Sequence, residues 1–151
     1  MQLDRDFSEF IACCVARDVR FLIVGGYAVA AHGHPRYTKD LDVWVWVDPD
    51  NAARLVHALD DFGFRSLDLA PADFLQPDSV VQLGYPPKRI DVLTGIDGVT
   101  FDECYPSRLT IDVDGLAAPF IDLDNLRRNK RASGRPQDLA DLAALDQILP
   151  E

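Results

Sequence analysis

Two carboxylates stand two residues apart at Asp40-Leu41-Asp42, where an apolar alternation through Leu41, Val43, Val45 and Val47 begins. In a strand, side chains at i and i+2 leave the same face, about 6–7 Å apart. Like charges placed this way repel, and a cation between them relieves the cost, most simply a divalent metal. A third acid, Asp91, lies inside Ile90-Asp91-Val92-Leu93, directly after the basic pair Lys88-Arg89. An acid within an apolar strand loses several kcal/mol of hydration unless it is paired or metal-bound. If the two strands are neighbours, the three carboxylates can converge on a pair of Mg²⁺ ions about 3.5–4 Å apart.

Upstream, the apolar run Phe21-Leu22-Ile23-Val24 ends in Gly25-Gly26 and is followed by Tyr27-Ala28-Val29. Strand, glycine pair and short helix form a geometry in which backbone N–H groups can hold phosphate oxygens. The same pair also serves a plain tight turn. Arg36, Lys39, Lys130 and Arg135 are candidate phosphate partners through charge-assisted hydrogen bonds. His32 and His34 have no third nitrogen or sulfur ligand in range and are expected to pack in their loop. Trp44 and Trp46 share the face of Asp40 and Asp42. They can stack a base or line an acceptor cleft, but are expected to be covered by the chain's own helices.

These residues need elements to position them. A helix is expected over residues 6–17, with Asp6 as N-cap, then a buried strand from Arg20 to Val24 and a short helix from Tyr27 stopped by Gly33 and Pro35. A second strand follows over 41–47 and a helix over 50–62 ended by Gly63. Short strands near 79–83 and 89–93 are joined by Gly84-Tyr85-Pro86-Pro87 as a hairpin connection. One or two strands fall near 108–118, and Asp122–Arg131 and Pro136–Leu149 close the chain as helices, with Gly134 as a stop between them.

The length, 151 residues, suits one domain. No apolar stretch approaches the roughly 20 residues of a membrane helix, so no membrane association and a cytoplasmic location are expected. Cys13, Cys14 and Cys104 have no metal-site spacing and read as buried small residues. The net charge of −10 argues against an extended duplex nucleic acid as partner. Yet Arg127, Arg128, Lys130, Arg131 and Arg135 fall within nine positions, a local patch suited to a compact polyanion such as a nucleoside triphosphate.

Taken in order, Gly25-Gly26-Tyr27-Ala28-Val29, His32-Gly33, Arg36, Thr38, Asp40-Leu41-Asp42 and the embedded Asp91 resemble the minimal nucleotidyltransferases of the DNA polymerase beta-like superfamily. Lys130-Arg131-Ala132-Ser133-Gly134-Arg135, with Asp138-Leu139 and Asp141-Leu142, resembles the closing helical region of the small bacterial members. The resemblance implies an α/β (α+β) fold over residues 1–151, with a small mixed β-sheet flanked by helices and C-terminal helices. It implies Mg²⁺- or Mn²⁺-dependent transfer of a nucleoside monophosphate from a nucleoside triphosphate to a hydroxyl, with release of pyrophosphate. A small molecule, a tRNA end or a protein would carry the hydroxyl. Asp40, Asp42 and Asp91 would be the catalytic metal ligands, and Gly25, Gly26, Arg36, Lys39, Lys130 and Arg135 would surround the nucleotide. The family commonly has Ser where this chain has Gly26, which leaves the backbone to grip the phosphates. The alternative is a nucleotide-binding or antitoxin-like protein of a toxin–antitoxin pair, which keeps the fold and works through a partner protein without turnover.

Overall fold

The structure is a computed structural model describing residues 1–85 and 87–147. Pro86 in the expected hairpin connection and Leu149 at the expected end of the closing helix lie outside the described residues. Among the described residues, six helices, α1 (Arg5–Ala16), α2 (Gly25–Ala31), α3 (Pro49–Phe62), α4 (Phe101–Cys104), α5 (Leu123–Ser133) and α6 (Pro136–Leu145), accompany a six-stranded mixed sheet. The strands are β1 (Phe21–Val24), β2 (Leu41–Val45), β3 (Val80–Leu83), β4 (Ile90–Leu93), β5 (Leu109–Val113) and β6 (Leu116–Phe120), in the order β3-β4-β2-β1-β6-β5. β1 runs antiparallel to β2 and parallel to β6, β2 runs parallel to β4, and the outer pairs β3/β4 and β5/β6 are antiparallel.

All four residues of β1 are buried, as a strand covered on both faces requires. Trp44 is buried and meets Phe101 of α4 edge to face, so the chain's own helix covers it. Trp46 is half-buried with the Arg20 guanidinium 5.0 Å from its ring centre. α1 and α3 meet through Phe10 and Phe62. Cys14 and Cys104 are buried, Cys13 partly so, and all three are free thiols.

Helix ends follow their sequence signals with three corrections. α2 begins at Gly25 and not at Tyr27, because the glycine pair is itself its first turn. α6 ends at Leu145, short of the expected Leu149, with Asp146 and Gln147 in a turn. The third concerns α1. α1 is capped by Asp4, whose carboxylate accepts from the Asp6 N–H, so Asp6 sits inside the first turn instead of capping it. Asp48 caps α3 and Asp122 caps α5, while Gly63 and Gly134 end those helices in the left-handed conformation. β2 stops at Val45, two residues earlier than the alternation implies, because Val47 is exposed and Asp48 already turns the chain into α3. α4 and the short 3-10 turns Arg65–Leu67, Pro71–Phe74 and Tyr105–Ser107 carry no periodic signal and were not expected.

Asn51, fully buried, ties the far ends of β1 and β2 together. Its Oδ1 accepts from the Arg20 N–H at 2.7 Å, and its Nδ2 donates to the carbonyls of Arg20 and Trp46 at 3.1 and 2.9 Å. Removing it takes a partner from three backbone groups, of which the Arg20 carbonyl keeps the Trp46 N–H at 3.2 Å, whereas removing the Asp48 cap takes one from a single N–H. Asn51→Ala is therefore expected to cost about 2–3 kcal/mol and Asp48→Ala about 1 kcal/mol, in urea denaturation read by circular dichroism.

Candidate active site

The parallel pairing of β2 and β4 puts Asp42 directly opposite Asp91, with Gln82 of β3 beyond it and Val24 of β1 on the other side. Adjacent strands are about 4.8 Å apart, so the two carboxylates stand side by side, an arrangement that is unfavourable without a cation. The cation is Arg89. Its Nε and Nη2 donate to the two oxygens of Asp91 at 3.0 and 3.1 Å, and Nη2 also donates to Asp40 Oδ2 at 2.7 Å. Asp91 is thus the acid paired on both oxygens, its partner supplied by the residue two positions before it on the same face. Asp40 lies at the bend before β2, behind the cleft, and joins the others through Arg89.

Asp42 has no hydrogen-bond or ion-pair partner among the described residues. Burial, then the charges of Asp91 and Asp40, pushes its carboxyl up to about 7. It faces a cleft of about 640 Å³ that also takes in Gly25, Gly26, Arg36, Asp91, Lys130 and Arg135. Of the residues expected around a nucleotide, the structure brings these together and leaves two aside. One is Lys39, exposed outside the cleft and one step out of phase with Asp40; the other is Asp40 itself, expected as a metal ligand, which does not line the cleft.

Both glycines are needed where they stand. Gly25 has φ +68°, and a Cβ there would run into the Asp42 carboxylate. A Cβ on Gly26 would lie 2.6 Å from Thr38 Cγ2 and 2.7 Å from Thr38 Oγ1. The Thr38 hydroxyl therefore fills the space a side chain at position 26 would use.

The cationic wall is anchored to α6. Lys130, buried, reaches Asp138 and Asp141 at 3.1 and 3.2 Å. Arg36 makes a fork-on-fork pair with Asp141 at 2.8 and 2.9 Å, and Arg135 bonds Asp138 at 2.7 Å. Burial alone would raise Asp138 and Asp141, but hydrogen bonds from Arg135, Arg36 and Lys130 overcome it and hold both below the usual carboxylate range. The sequence quoted Asp138 and Asp141 only as part of a resemblance. Their i, i+3 spacing on a helix that follows a basic run was the signal for one shared face. His32 packs in its loop as expected, its Nε2 2.8 Å from the Ile121 carbonyl oxygen.

This fold is nucleotidyltransferase-like. No protein-family model and no curated protein matches the chain, but solved structures share its architecture. A Thermotoga maritima protein classed as a nucleotidyltransferase superimposes with a TM-score of 0.61 at 13% identity, over 93% of this chain and 89% of its own. The lincosamide antibiotic adenylyltransferase LnuA, solved with lincomycin bound, gives 0.58 at 12% identity over 97% and 98% of the two chains. An antigenic nucleotidyltransferase-like protein from Paracoccidioides brasiliensis gives 0.52 at 18% identity over 93% and 74%. Among the described residues no helix is long and apolar enough to cross a membrane.

Two predictions arise from this geometry. Gly26→Ala is expected to destabilise by about 1–3 kcal/mol through overpacking, and Thr38→Ala in the same chain to recover most of that loss in thermal melts. The second concerns pH. A carboxyl raised above its unfolded value of about 3.9 favours the fold only while protonated, so metal-free protein loses this contribution as pH rises from about 4 through about 7. Asp138 and Asp141, held low, act in the opposite sense and withdraw stability as pH falls below about 4. Asp42→Asn is therefore expected to stabilise chelator-treated protein at pH 8, by an amount on the order of 2–4 kcal/mol, and to change it little at pH 4.

Proposed function

We propose that the protein is a divalent-metal-dependent nucleotidyltransferase that moves a nucleoside monophosphate from a nucleoside triphosphate to a hydroxyl acceptor. The acceptor oxygen attacks the α-phosphorus, the bond to the β-phosphate oxygen breaks, and pyrophosphate leaves with that electron pair. The observation that carries the reading is the in-register pair Asp42 and Asp91 at the floor of a cleft whose adjoining turn is Gly25-Gly26. Such chemistry asks for positioning and charge more than for a reactive side chain.

The acids suit Mg²⁺ or Mn²⁺, being hard oxygen donors. Asp40 Oδ1, buried without a hydrogen-bond partner, is an acceptor that such an ion would satisfy. When bound, the metal neutralises triphosphate oxygens and the charge that builds on them in the transition state. Asp42 and Asp40 would hold it, and Asp91 would orient the acceptor hydroxyl and take its proton. Gly25 and Gly26 keep the floor free of side chains so that first-turn amides, which lack intrahelical acceptors, meet phosphate oxygens. Arg36, Lys130 and Arg135 add positive potential to one wall while their aspartate partners hold them in place.

That internal neutralisation is the one feature favouring the alternative of a nucleotide-binding protein acting through a protein partner without turnover. Turnover separates the two readings. Incubation with Mg²⁺ or Mn²⁺, each α-labelled nucleoside triphosphate and a lysate of the host is expected to give a labelled product, lowered at least 100-fold by Asp42→Asn or Asp91→Asn. Nucleotide-dependent stabilisation without product would support the non-catalytic reading, and no melting shift with any metal and nucleotide would remove both.

A further inference from the structure

Three carboxylates and two divalent ions are the arrangement expected from the acids alone, and the position of Arg89 changes that count. One guanidinium engages both oxygens of Asp91 and Oδ2 of Asp40. What remains for an external cation is Asp40 Oδ1, buried and unpartnered, and the unpaired carboxylate of Asp42. Among the described residues, no three side chains of the Asp, Glu, His or Cys type gather closely enough to enclose a metal.

We infer that the acid site takes a single divalent ion, centred on Asp42, and that Arg89 serves as its built-in second cation. This rests on the reading of the acids as a metal site proposed above. Three arguments support it.

The first is charge. Three carboxylates and one guanidinium sum to minus two, which one divalent ion cancels, whereas a second would leave the site at plus two. The second is permanence. Arg89 is tethered two residues before Asp91, its carbonyl accepts from the Leu41 N–H at 3.1 Å, and a guanidinium does not deprotonate in proteins. Its fork geometry matches a carboxylate on two points, so a dissolved ion competes with a cation that cannot diffuse away. The third is the lack of a substitute. Lys130 and Arg135 are committed to Asp138 and Asp141, and Lys88 points instead toward Asp4 and Asp6 at 3.8 and 3.5 Å. Among the described residues, Arg89 is the cation bonded to both Asp40 and Asp91. It is a positioning residue, holding Asp91 aimed and supplying the charge that a second ion would otherwise bring.

The experiment counts ions without asking for turnover. Full-length protein is titrated with Mn²⁺ and the free ion is read by electron paramagnetic resonance, with circular dichroism melts reporting the fold of every variant. Wild type and Arg89→Lys are expected to bind one Mn²⁺ per chain, Arg89→Gln two, and Asp42→Asn to bind at least tenfold more weakly. Two ions on wild type would overturn the inference and leave the proposed function standing. No ion on wild type would take away both. One ion on both wild type and Arg89→Gln would show that Arg89 does not exclude the second, and would overturn its role. If Arg89→Gln does not fold, the wild-type count decides alone, one supporting and two overturning.

Discussion

Everything around the cleft answers to one adjacency, Asp42 beside Asp91 across a parallel strand pair. A buried and a half-buried carboxylate one strand spacing apart repel each other, and the surrounding architecture is a set of responses to that. Arg89 crosses between Asp91 and Asp40. Asp42 is left with its acidity suppressed. Gly25 gives up a side chain so that the strained carboxylate has room. A sheet that spends stability at one point must recover it elsewhere, and the unbroken apolar packing of β1, together with Trp44 against Phe101, supplies that.

A second balance sits on the opposite wall. Lys130 could not be buried alone, and it is buried because Asp138 and Asp141 meet it from the next helix. The same two aspartates fix Arg36 and Arg135, so Arg36 and the four clustered positions Lys130, Arg135, Asp138 and Asp141 become one connected surface. The cleft thus has an anionic floor and a charge-compensated wall. Such a surface discriminates by direction of hydrogen bonds more than by raw potential.

How far the sequence disclosed this differs from residue to residue. The acid pair, the glycine pair and the apolar runs have fixed periods, so β1, β2, β4 and the neighbourhood of Asp42 and Asp91 were legible. α5 was marked at both ends by Asp122 and Gly134, and α3 at its end by Gly63. Arg89 was visible as part of a basic pair, but which carboxylate it would meet depends on strand order, which no local pattern encodes. Asp40 lies one residue before its strand, so period-two reasoning placed it in a row that the backbone does not continue. Lys39 was read from charge, yet its phase turns it outward. Asn51 gave no signal, because an amide in the first turn of a helix looks like any surface residue until the two strand ends arrive beside it. The early Asp4 cap shows the usual ambiguity between neighbouring acids at a helix start.

The tie between Arg36 and Asp141 spans 105 residues. On the ribosome the floor of the cleft is made early, while the helix that steadies its wall is synthesised after most of the sheet. The bond joins the loop after α2 to α6, so the charge of Arg36 is fixed only where α6 closes against it. One joint thereby fastens the beginning of the cleft to its end.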